Sequence, residues 1–205
     1  MAFQTYAQFK IQSTSTAQPV VGSWVTAGFP GVPTKGSVTL TLGTALASGN
    51  DASVIFAGGG LAWLVDPGDT TGTSGEEVSI QSVSGNTVTL FPKRNGEVLK
   101  YNHVNGAFGT GTFIIPIIEM NSFYIQSVPG NAGFIYFGSN LGLLTPSGSP
   151  SFRHGIARIN KVASTIQPVD FSSAFSFFGN QISSQELWII ADNANDQYQA
   201  TFSVL

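Results

Sequence analysis

Turn-forming residues interrupt this chain too often for long helices. Its 205 residues include 24 glycines and 10 prolines, which fall at short intervals throughout the sequence. Both residue types disfavour the interior of a helix and are common in tight turns between strands. Between the turns lie runs of alternating apolar and polar residues, as at 37–42, and this period of two is typical of half-buried strands. The sequence therefore predicts an all-β fold with little helix.

A nearly repeated segment marks two predicted hairpins. Residues 80–86 read Ile-Gln-Ser-Val-Ser-Gly-Asn, and residues 125–131 read Ile-Gln-Ser-Val-Pro-Gly-Asn. The Gly-Asn pair supplies the positive φ angles of a tight turn. Strand-forming residues follow each copy, at 87–91 and at 134–137. We therefore expect one hairpin in each half of the chain.

The chain is long enough to form two small domains, each with its own core. The apolar run at 113–118 is interrupted by Pro116, and proline in such a run is typical of a strand at the edge or exit of a domain. The predicted boundary therefore lies near residues 119–121. This places a first domain at 17–120 and a second at 121–205.

The first residues of the chain are open to two interpretations. Residues 1–16 alternate loosely between apolar and polar, and their aromatic members include Phe3, Tyr6 and Phe9. They predict either an extended N-terminal arm that docks on a neighbouring subunit or an edge strand of the chain's own sheet. The division above treats 1–16 as an extended arm.

The surface of the protein must be thinly charged. Charged residues make up 9% of the chain, against roughly 25% in an average soluble domain. Ser, Thr, Asn, Gln and Gly must therefore cover most of the exterior. Because charged residues are depleted from the cores of interfaces, this composition favours a protein whose surface is largely covered by other protein. A robust secreted β-protein is the alternative.

Charge, cysteine content and the N-terminal sequence exclude several partners. The net charge is −3 and the pI about 5.2, so we expect no broad basic face for nucleic acid. The chain has no cysteine, which excludes disulfides and thiolate metal sites. No signal-peptide pattern and no apolar run of about 20 residues is present. We therefore expect a chain made in a cytoplasm, with no membrane as partner.

The sequence offers no recognisable catalytic constellation. Its two histidines, His103 and His154, lie in different halves and outside any nucleophile or metal-ligand spacing. Glu76 and Glu77 are adjacent, and adjacent residues of a strand point to opposite faces. We expect one of these carboxylates to face solvent and the other to hold a backbone or side-chain donor. The prediction is a protein that is not an enzyme and needs no cofactor or metal.

The segment 192–196 resembles half of a calcium loop. It has Ala194 at its third position and lacks the glycine and the distant glutamate, so a hairpin turn is favoured. The tryptophans Trp24, Trp63 and Trp188 are all predicted to be core residues rather than sugar platforms.

Six of the eight basic residues fall in two short segments. These segments are either solvated loops or docking patches for acidic surfaces of a neighbouring subunit. The six basic residues are Lys93, Arg94, Lys100, Arg153, Arg158 and Lys161.

Several of these segments resemble virion proteins of tailed bacteriophages. Residues 75–90, with His-Val-Asn-Gly-Ala at 103–107 downstream, are similar to small β-barrel modules of phage head and tail proteins. Residues 135–139 (Ile-Tyr-Phe-Gly-Ser), 144–148 (Leu-Thr-Pro-Ser-Gly) and 186–192 (Glu-Leu-Trp-Ile-Ile-Ala-Asp) resemble a β-sandwich of capsid decoration and head-fibre proteins. The segment 149–184 departs from that pattern because it is longer than the expected link.

The resemblance implies both an architecture and a role. The implied fold is an N-terminal small β-barrel followed by a jelly-roll-like β-sandwich. The implied role is that of a homotrimeric cement protein on the outer capsid surface of the virion, which ties major capsid protein subunits together. The alternative is a tail or head-fibre protein that binds host carbohydrate through 66–75 and 145–150. The residues expected to touch partners are Phe3, Tyr6, Phe9, Arg153, His154 and Arg158.

Overall fold

The computed structural model of the protein describes residues 2–30, 34–43, 55–56, 59–67, 69, 75–92, 96–138, 157–159 and 174–204. Within these ranges the chain is almost entirely β, as predicted. The strands are β1 (Ala2–Lys10), β2 (Gln18–Pro19), β3 (Ser23–Ala27), β4 (Thr34–Lys35), β5 (Val38–Leu42), β6 (Gly60–Val65), β7 (Glu76–Ser84), β8 (Thr87–Phe91), β9 (Glu97–Leu99), β10 (Phe113–Pro116), β11 (Glu119–Ser127), β12 (Ile135–Gly138), β13 (Ala157–Ile159), β14 (Ala174–Ser183), β15 (Trp188–Ala191) and β16 (Gln197–Val204). A short 3-10 helix, Ser184–Glu186, joins β14 to β15.

The described residues fall into two compact units. The first unit contains the two outer parts of the chain, through Val20 and from Ile118 onward, and the second contains the residues between Val21 and Ile117. The barrel unit is therefore inserted between β2 and β11 of the other unit. The predicted boundary near 119–121 lies close to the observed exit from the barrel, but residues 2–20 belong with the C-terminal strands rather than with an arm.

The inserted unit is a closed barrel of six strands in the order β10-β3-β5-β8-β7-β6. Its interior is filled by alternate side chains, and β5 shows the pattern most clearly. Val38, Leu40 and Leu42 are buried while Thr39 and Thr41 are exposed, as the alternation in the sequence predicts. The small β4-β9 sheet belongs to the same unit. The barrel predicted for this part of the chain is confirmed.

The first repeat forms the predicted hairpin. Strands β7 and β8 pair antiparallel, with Ser84 opposite Thr87. Gly85 occupies the first position of the two-residue turn with φ 54°, a conformation that only glycine adopts without steric cost.

The other unit is a β-sandwich of two four-stranded sheets, in the orders β1-β16-β11-β14 and β13-β12-β15-β2. Taken in chain order, the eight strands alternate between the sheets except for β12 and β13, which are neighbours in one sheet. This is the jelly-roll arrangement, with the first strand beside the last and the second beside the seventh. Side chains of the two sheets meet inside, where the ring centroids of Phe123 and Phe137 lie 5.2 Å apart. The jelly-roll-like sandwich implied by the resemblance is confirmed.

The second repeat does not form a hairpin. Strands β11 and β12 lie in different sheets, so the turn at Pro129-Gly130 carries the chain across the sandwich. The side chain of Asn131 explains the difference because it acts as a strand partner for Gln197. Its Nδ2 donates to the Gln197 carbonyl at 2.6 Å, and its Oδ1 accepts from the Gln197 N–H at 2.8 Å. Two nearly identical segments therefore form a hairpin in one unit and a crossing between sheets in the other.

The extended arm predicted for residues 1–16 is replaced by an edge strand of the chain's own sheet. Strand β1 pairs antiparallel with β16, from Ala2 opposite Val204 to Lys10 opposite Gln197. Phe9 is 1% exposed and stacks on Tyr198 with ring centroids 5.4 Å apart. The aromatic residue lies inside because it packs on the buried face of its neighbouring strand.

Candidate functional site

The residues expected to touch partners are not gathered into one described surface. Phe9 is buried in the jelly-roll unit, so it is a core residue and not a contact for a partner. Phe3 and Tyr6 lie on β1 and Arg158 on β13, but their side chains are outside the described part of the structure. Arg153 and His154 also lie outside it. Of the predicted basic patches, the side chain of Lys100 is described, with its Nζ 5.0 Å from the centroid of the Tyr101 ring.

Ionisable side chains converge at one place in the barrel unit, around His103. The Nδ1 of His103 lies 3.2 Å from Oδ1 of Asp66, and its Nε2 lies 2.9 Å from Oε1 of Glu76. The His103 side chain is fully buried, while Asp66 and Glu76 are 19% and 4% exposed. A ring that donates from both nitrogens is the imidazolium form. The cluster is therefore a buried cation between two carboxylates.

Glu76 also holds the backbone that leads to His103. Its two carboxylate oxygens accept the N–H of Lys100 at 3.0 and 2.9 Å, and Oε1 accepts the N–H of Tyr101 at 3.1 Å. Its neighbour Glu77 is exposed. The prediction that one carboxylate faces solvent and the other holds donors is confirmed.

Asp66 has a second donor in the hydroxyl of Thr112, which makes a short hydrogen bond to Oδ1. The same hydroxyl accepts the N–H of Val104 at 2.9 Å. The ring of Phe29 packs against the other side of the cluster, with its centroid 5.3 Å from that of the imidazole. Each polar atom facing His103 is thus engaged, and the ring is covered by an apolar neighbour.

The surroundings shift the pKa values in opposite directions. Burial alone would lower the pKa of His103, but its hydrogen bonds to Asp66 and Glu76 and their negative charges outweigh burial and raise the pKa to about 9. Burial alone would raise the pKa of Glu76, but its bonds from His103, Lys100 and Tyr101 outweigh burial and lower the pKa. At neutral pH, therefore, His103 holds its proton and Glu76 is ionised.

The geometry of the cluster suits a structural role better than a catalytic one. The two carboxylates bind opposite nitrogens of the ring, so their oxygens do not converge on a common point where a metal ion or a substrate atom would lie. Among the residues that the structure describes, no group of three or more His, Cys, Asp or Glu side chains is arranged to hold a metal ion. What the arrangement does is fasten the segment after β9 to the strands of the barrel.

Sequence reasoning found Glu76 but missed its partners. Glu76 lies on the same strand face as Val78 and Ile80, which are buried, so an inward carboxylate in need of donors was readable. Asp66 and His103 come from distant parts of the chain, and only the strand pairing brings them together. No local spacing marks this cluster.

A second feature of the barrel unit is an uncharged outer face, which we call the hydroxyl face. Paired outward residues lie in rows across β5, β8 and β7, and the hydroxyls of Thr39 and Thr89 lie 3.2 Å apart. Among the outward side chains of these three strands, Glu77 alone carries a charge. The hydroxyl residues of the face are Thr39, Thr41, Ser79, Ser82, Ser84, Thr87 and Thr89.

Two exposed apolar side chains border the hydroxyl face. Leu61 on β6 is opposite Ser79, and Ser79 is opposite Phe91 on β8. Leu61 is 43% exposed and Phe91 is 52% exposed. Since directly paired residues point to the same side of a sheet, Leu61 and Phe91 flank Ser79 in one row.

Two of the three tryptophans are core residues, as predicted. Trp24 and Trp188 are 7% and 4% exposed. The prediction is wrong for Trp63, which is half-buried and is paired with the exposed Glu77, so it lies on the outer side of the barrel. Its ring lies against Gly75, where an added Cβ would come within 2.6 Å of it.

The acidic segment after β15 binds backbone groups. Asp196 accepts the N–H groups of Ala132 and Gly133 at 2.9 and 3.0 Å, and Asp192 accepts the N–H of Phe134 at 3.3 Å. The predicted hairpin turn is wrong, because β15 and β16 lie in different sheets. The segment is a crossing between sheets whose carboxylates satisfy the backbone of the neighbouring crossing.

Comparison with known proteins adds no family to this description. No protein-family model, no curated protein and no solved structure matches the chain. Within the described residues, no helix combines the length and the apolar character needed to cross a membrane.

Proposed function

We propose that this chain is a structural virion protein of a tailed bacteriophage that decorates the capsid and stabilises it by bridging major capsid protein subunits. The observation that carries the proposal is the hydroxyl face with its two exposed apolar neighbours. The sequence resembles phage virion proteins, and this face supplies a surface suited to contact with another protein. The protein is made in the host cytoplasm and acts on the outer surface of the shell.

The composition of the hydroxyl face supports a protein partner. Interface cores are depleted of charge and enriched in aromatic residues relative to other protein surface. On this face, Glu77 is the single charged side chain among the outward residues of β5, β7 and β8, and Phe91 supplies an exposed aromatic ring. Threonine and serine lose little side-chain entropy when they are covered. A partner surface that is itself uncharged would cover this face without burying an unpaired charge.

The mechanism of such a protein is binding without chemistry. A protein that binds the assembled shell and not the free subunits shifts the assembly equilibrium towards the shell. At a free concentration of 100 times the Kd, each bound copy would stabilise the shell by about 2.7 kcal/mol. Repeated over a shell, this stabilisation resists loss of subunits.

The test is binding to purified shells that lack this chain. We expect the wild-type protein to bind saturably, and Phe91→Ser and Leu61→Ser each to weaken binding by roughly tenfold or more, as truncation of an interface anchor does. Val104→Ser is the matched control, because Val104 is also 52% exposed but lies outside the hydroxyl face. Circular dichroism would check that each variant is folded.

Two outcomes would contradict parts of the proposal. Wild-type protein that does not bind shells would remove the capsid role. If the wild type binds shells and Val104→Ser weakens binding as much as Phe91→Ser does, the capsid role stands but the hydroxyl face is not the binding surface. Mass photometry of the free and bound protein would test the homotrimer that the resemblance implies.

Jelly rolls also occur as lectin domains, which favours the alternative of a tail or head-fibre protein that binds host carbohydrate. Of the loops expected to do so, Asp66 is occupied by His103 and Thr112, and 145–150 lies outside the described residues. Among the described residues, Phe91 supplies an exposed aromatic ring on which a sugar could stack. Binding to a glycan array that Phe91→Ser abolishes, without binding to shells, would favour this function.

A further inference from the structure

We propose that residues 100–103 form an ion-locked strap across one end of the barrel, which opens as a unit while the barrel strands stay paired. The lock is the imidazolium of His103 between Asp66 and Glu76. This device is independent of the decoration role proposed above.

The strap lies at the end of the barrel where β6 stops and β7 and β10 start. Asp66 follows β6, Glu76 begins β7, and Thr112 precedes β10. Asp66 binds His103, and Glu76 binds both His103 and the N–H groups of Lys100 and Tyr101. The hydroxyl of Thr112 accepts the N–H of Val104, where the strap ends. Charged contacts from two separate elements thus fasten the strap.

The segment that follows the strap is fastened differently. The ring of Phe108 packs edge-on against Trp24 and Phe113, at centroid distances of 5.3 and 5.7 Å. Gly106 N–H donates to the carbonyl of Val25 at 3.1 Å. Val104 is held in the same way, since Thr112 binds both its N–H and its carbonyl. Because these contacts involve no ionisable group, loss of charge at His103 releases residues 100–103 and leaves 104–112 in place.

The charged groups around the lock give it a defined response to pH. Asp66 faces His103 from the end of β6, Glu76 faces it from β7, the segment after β3 contributes the uncharged ring of Phe29, and Lys100 and Tyr101 are the ionisable residues of the strap itself. His103 has an ordinary pKa of 6.5, which the closed strap raises to about 9. The contribution of His103 to strap closure is therefore complete below pH 6.5, weakens by about tenfold per pH unit above it, and is lost above pH 9.

The test is amide hydrogen exchange by NMR at pH 7 in two neighbouring variants. In Glu76→Gln we expect the amides of Lys100 and Tyr101 to exchange roughly tenfold to a hundredfold faster, because they lose a charged acceptor. The amides of β5, of β8 and of Gly106 should lose less protection than those of the strap. Glu77→Gln removes the same charge from the adjacent exposed position and should change none of these rates.

Wild-type protein provides a second measurement if Glu76→Gln does not fold. The ring signals of His103 should titrate with a midpoint near pH 9, and the protection of the Lys100 and Tyr101 amides should fall between pH 6.5 and 9 further than that of the β5 and β8 amides. The proposal is overturned if His103 titrates near pH 6.5, if strap protection does not change over this range, or if the protection of the strap and of the barrel strands falls equally.

Discussion

The two units of this protein satisfy their buried polar groups in different ways. The barrel unit buries a cation between two carboxylates, with His103 fully enclosed. The jelly-roll unit buries one carboxylate, that of Asp196, against backbone N–H groups rather than a cation, and its other buried polar side chains that the structure describes are neutral. The hydroxyl of Tyr198, which is fully buried, donates to the carbonyl of Val20 at 2.8 Å and accepts from Nε2 of Gln18 at 3.4 Å.

This difference determines how the stability of each unit depends on pH. A buried ion pair is costly to break, since removal of one partner leaves an uncompensated charge. It also titrates, so its contribution changes with pH. A hydroxyl bound to a carbonyl contributes less and stays constant until the hydroxyl ionises, and burial raises the pKa of Tyr198 above its ordinary value of 10.0. We therefore expect the stability of the barrel, rather than that of the jelly roll, to depend on pH between 6.5 and 9.

The largest expected effect is that of His103→Gln. This substitution leaves Asp66 and Glu76 without their shared cation, and we expect it to lower the free energy of unfolding of the barrel by about 3–5 kcal/mol. Urea unfolding followed by NMR would measure it, with the amides of Leu40 and Val88 reporting the barrel and those of Phe123 and Ala200 reporting the jelly roll. An equal loss in both units would break the comparison.

The next effect is that of pH on the wild-type protein. His103 binds its proton more tightly in the folded barrel, so its contribution is complete below pH 6.5 and is lost as pH rises to about 9. The shift corresponds to about 3 kcal/mol. Glu76 acts in the opposite direction, since its contribution is present above pH 4.5 and is lost as pH falls through its lowered pKa. The same NMR reporters should show the loss in the barrel and a level response in the jelly roll between pH 6.5 and 9.

The smallest effect is expected for Tyr198→Phe. Without the hydroxyl, the Val20 carbonyl loses its donor, and the jelly-roll unit should be destabilised by about 1–2 kcal/mol at every pH from 6.5 to 9. Tyr124→Phe is the matched control in the same unit, because its hydroxyl makes a long bond of 3.5 Å to Gln126 and should cost little. If the destabilisation by Tyr198→Phe varied with pH over this range, the Tyr198 hydroxyl would not be making the neutral hydrogen bond assigned to it.

Local patterns predicted much of this structure. The alternation at 38–42 and the turn at Gly85 follow from side-chain period and backbone freedom, which act between neighbours in sequence. The inward face of Glu76 follows from the same period. These features needed no knowledge of the rest of the chain.

Pairing between distant residues was beyond such patterns. The first nine-residue strand resembled an arm because its partner, β16, lies at the other end of the sequence. The second repeat resembled a hairpin because the bond between Asn131 and Gln197 is equally remote. The cluster at His103 joins three segments in the same way. In each case the sequence pattern indicated the residue but not the distant residue with which it pairs.

The insertion of the barrel sets an order of events during synthesis. Among the described strands, β1 is synthesised first, and it pairs with β16, which is synthesised last. The barrel strands lie between them and pair with one another over much shorter separations, so the barrel can close on the ribosome while β1 waits for its neighbour. Contacts so far apart in sequence form slowly, and the unpaired edge of the waiting strand makes this interval the time at which a chaperone would be needed most.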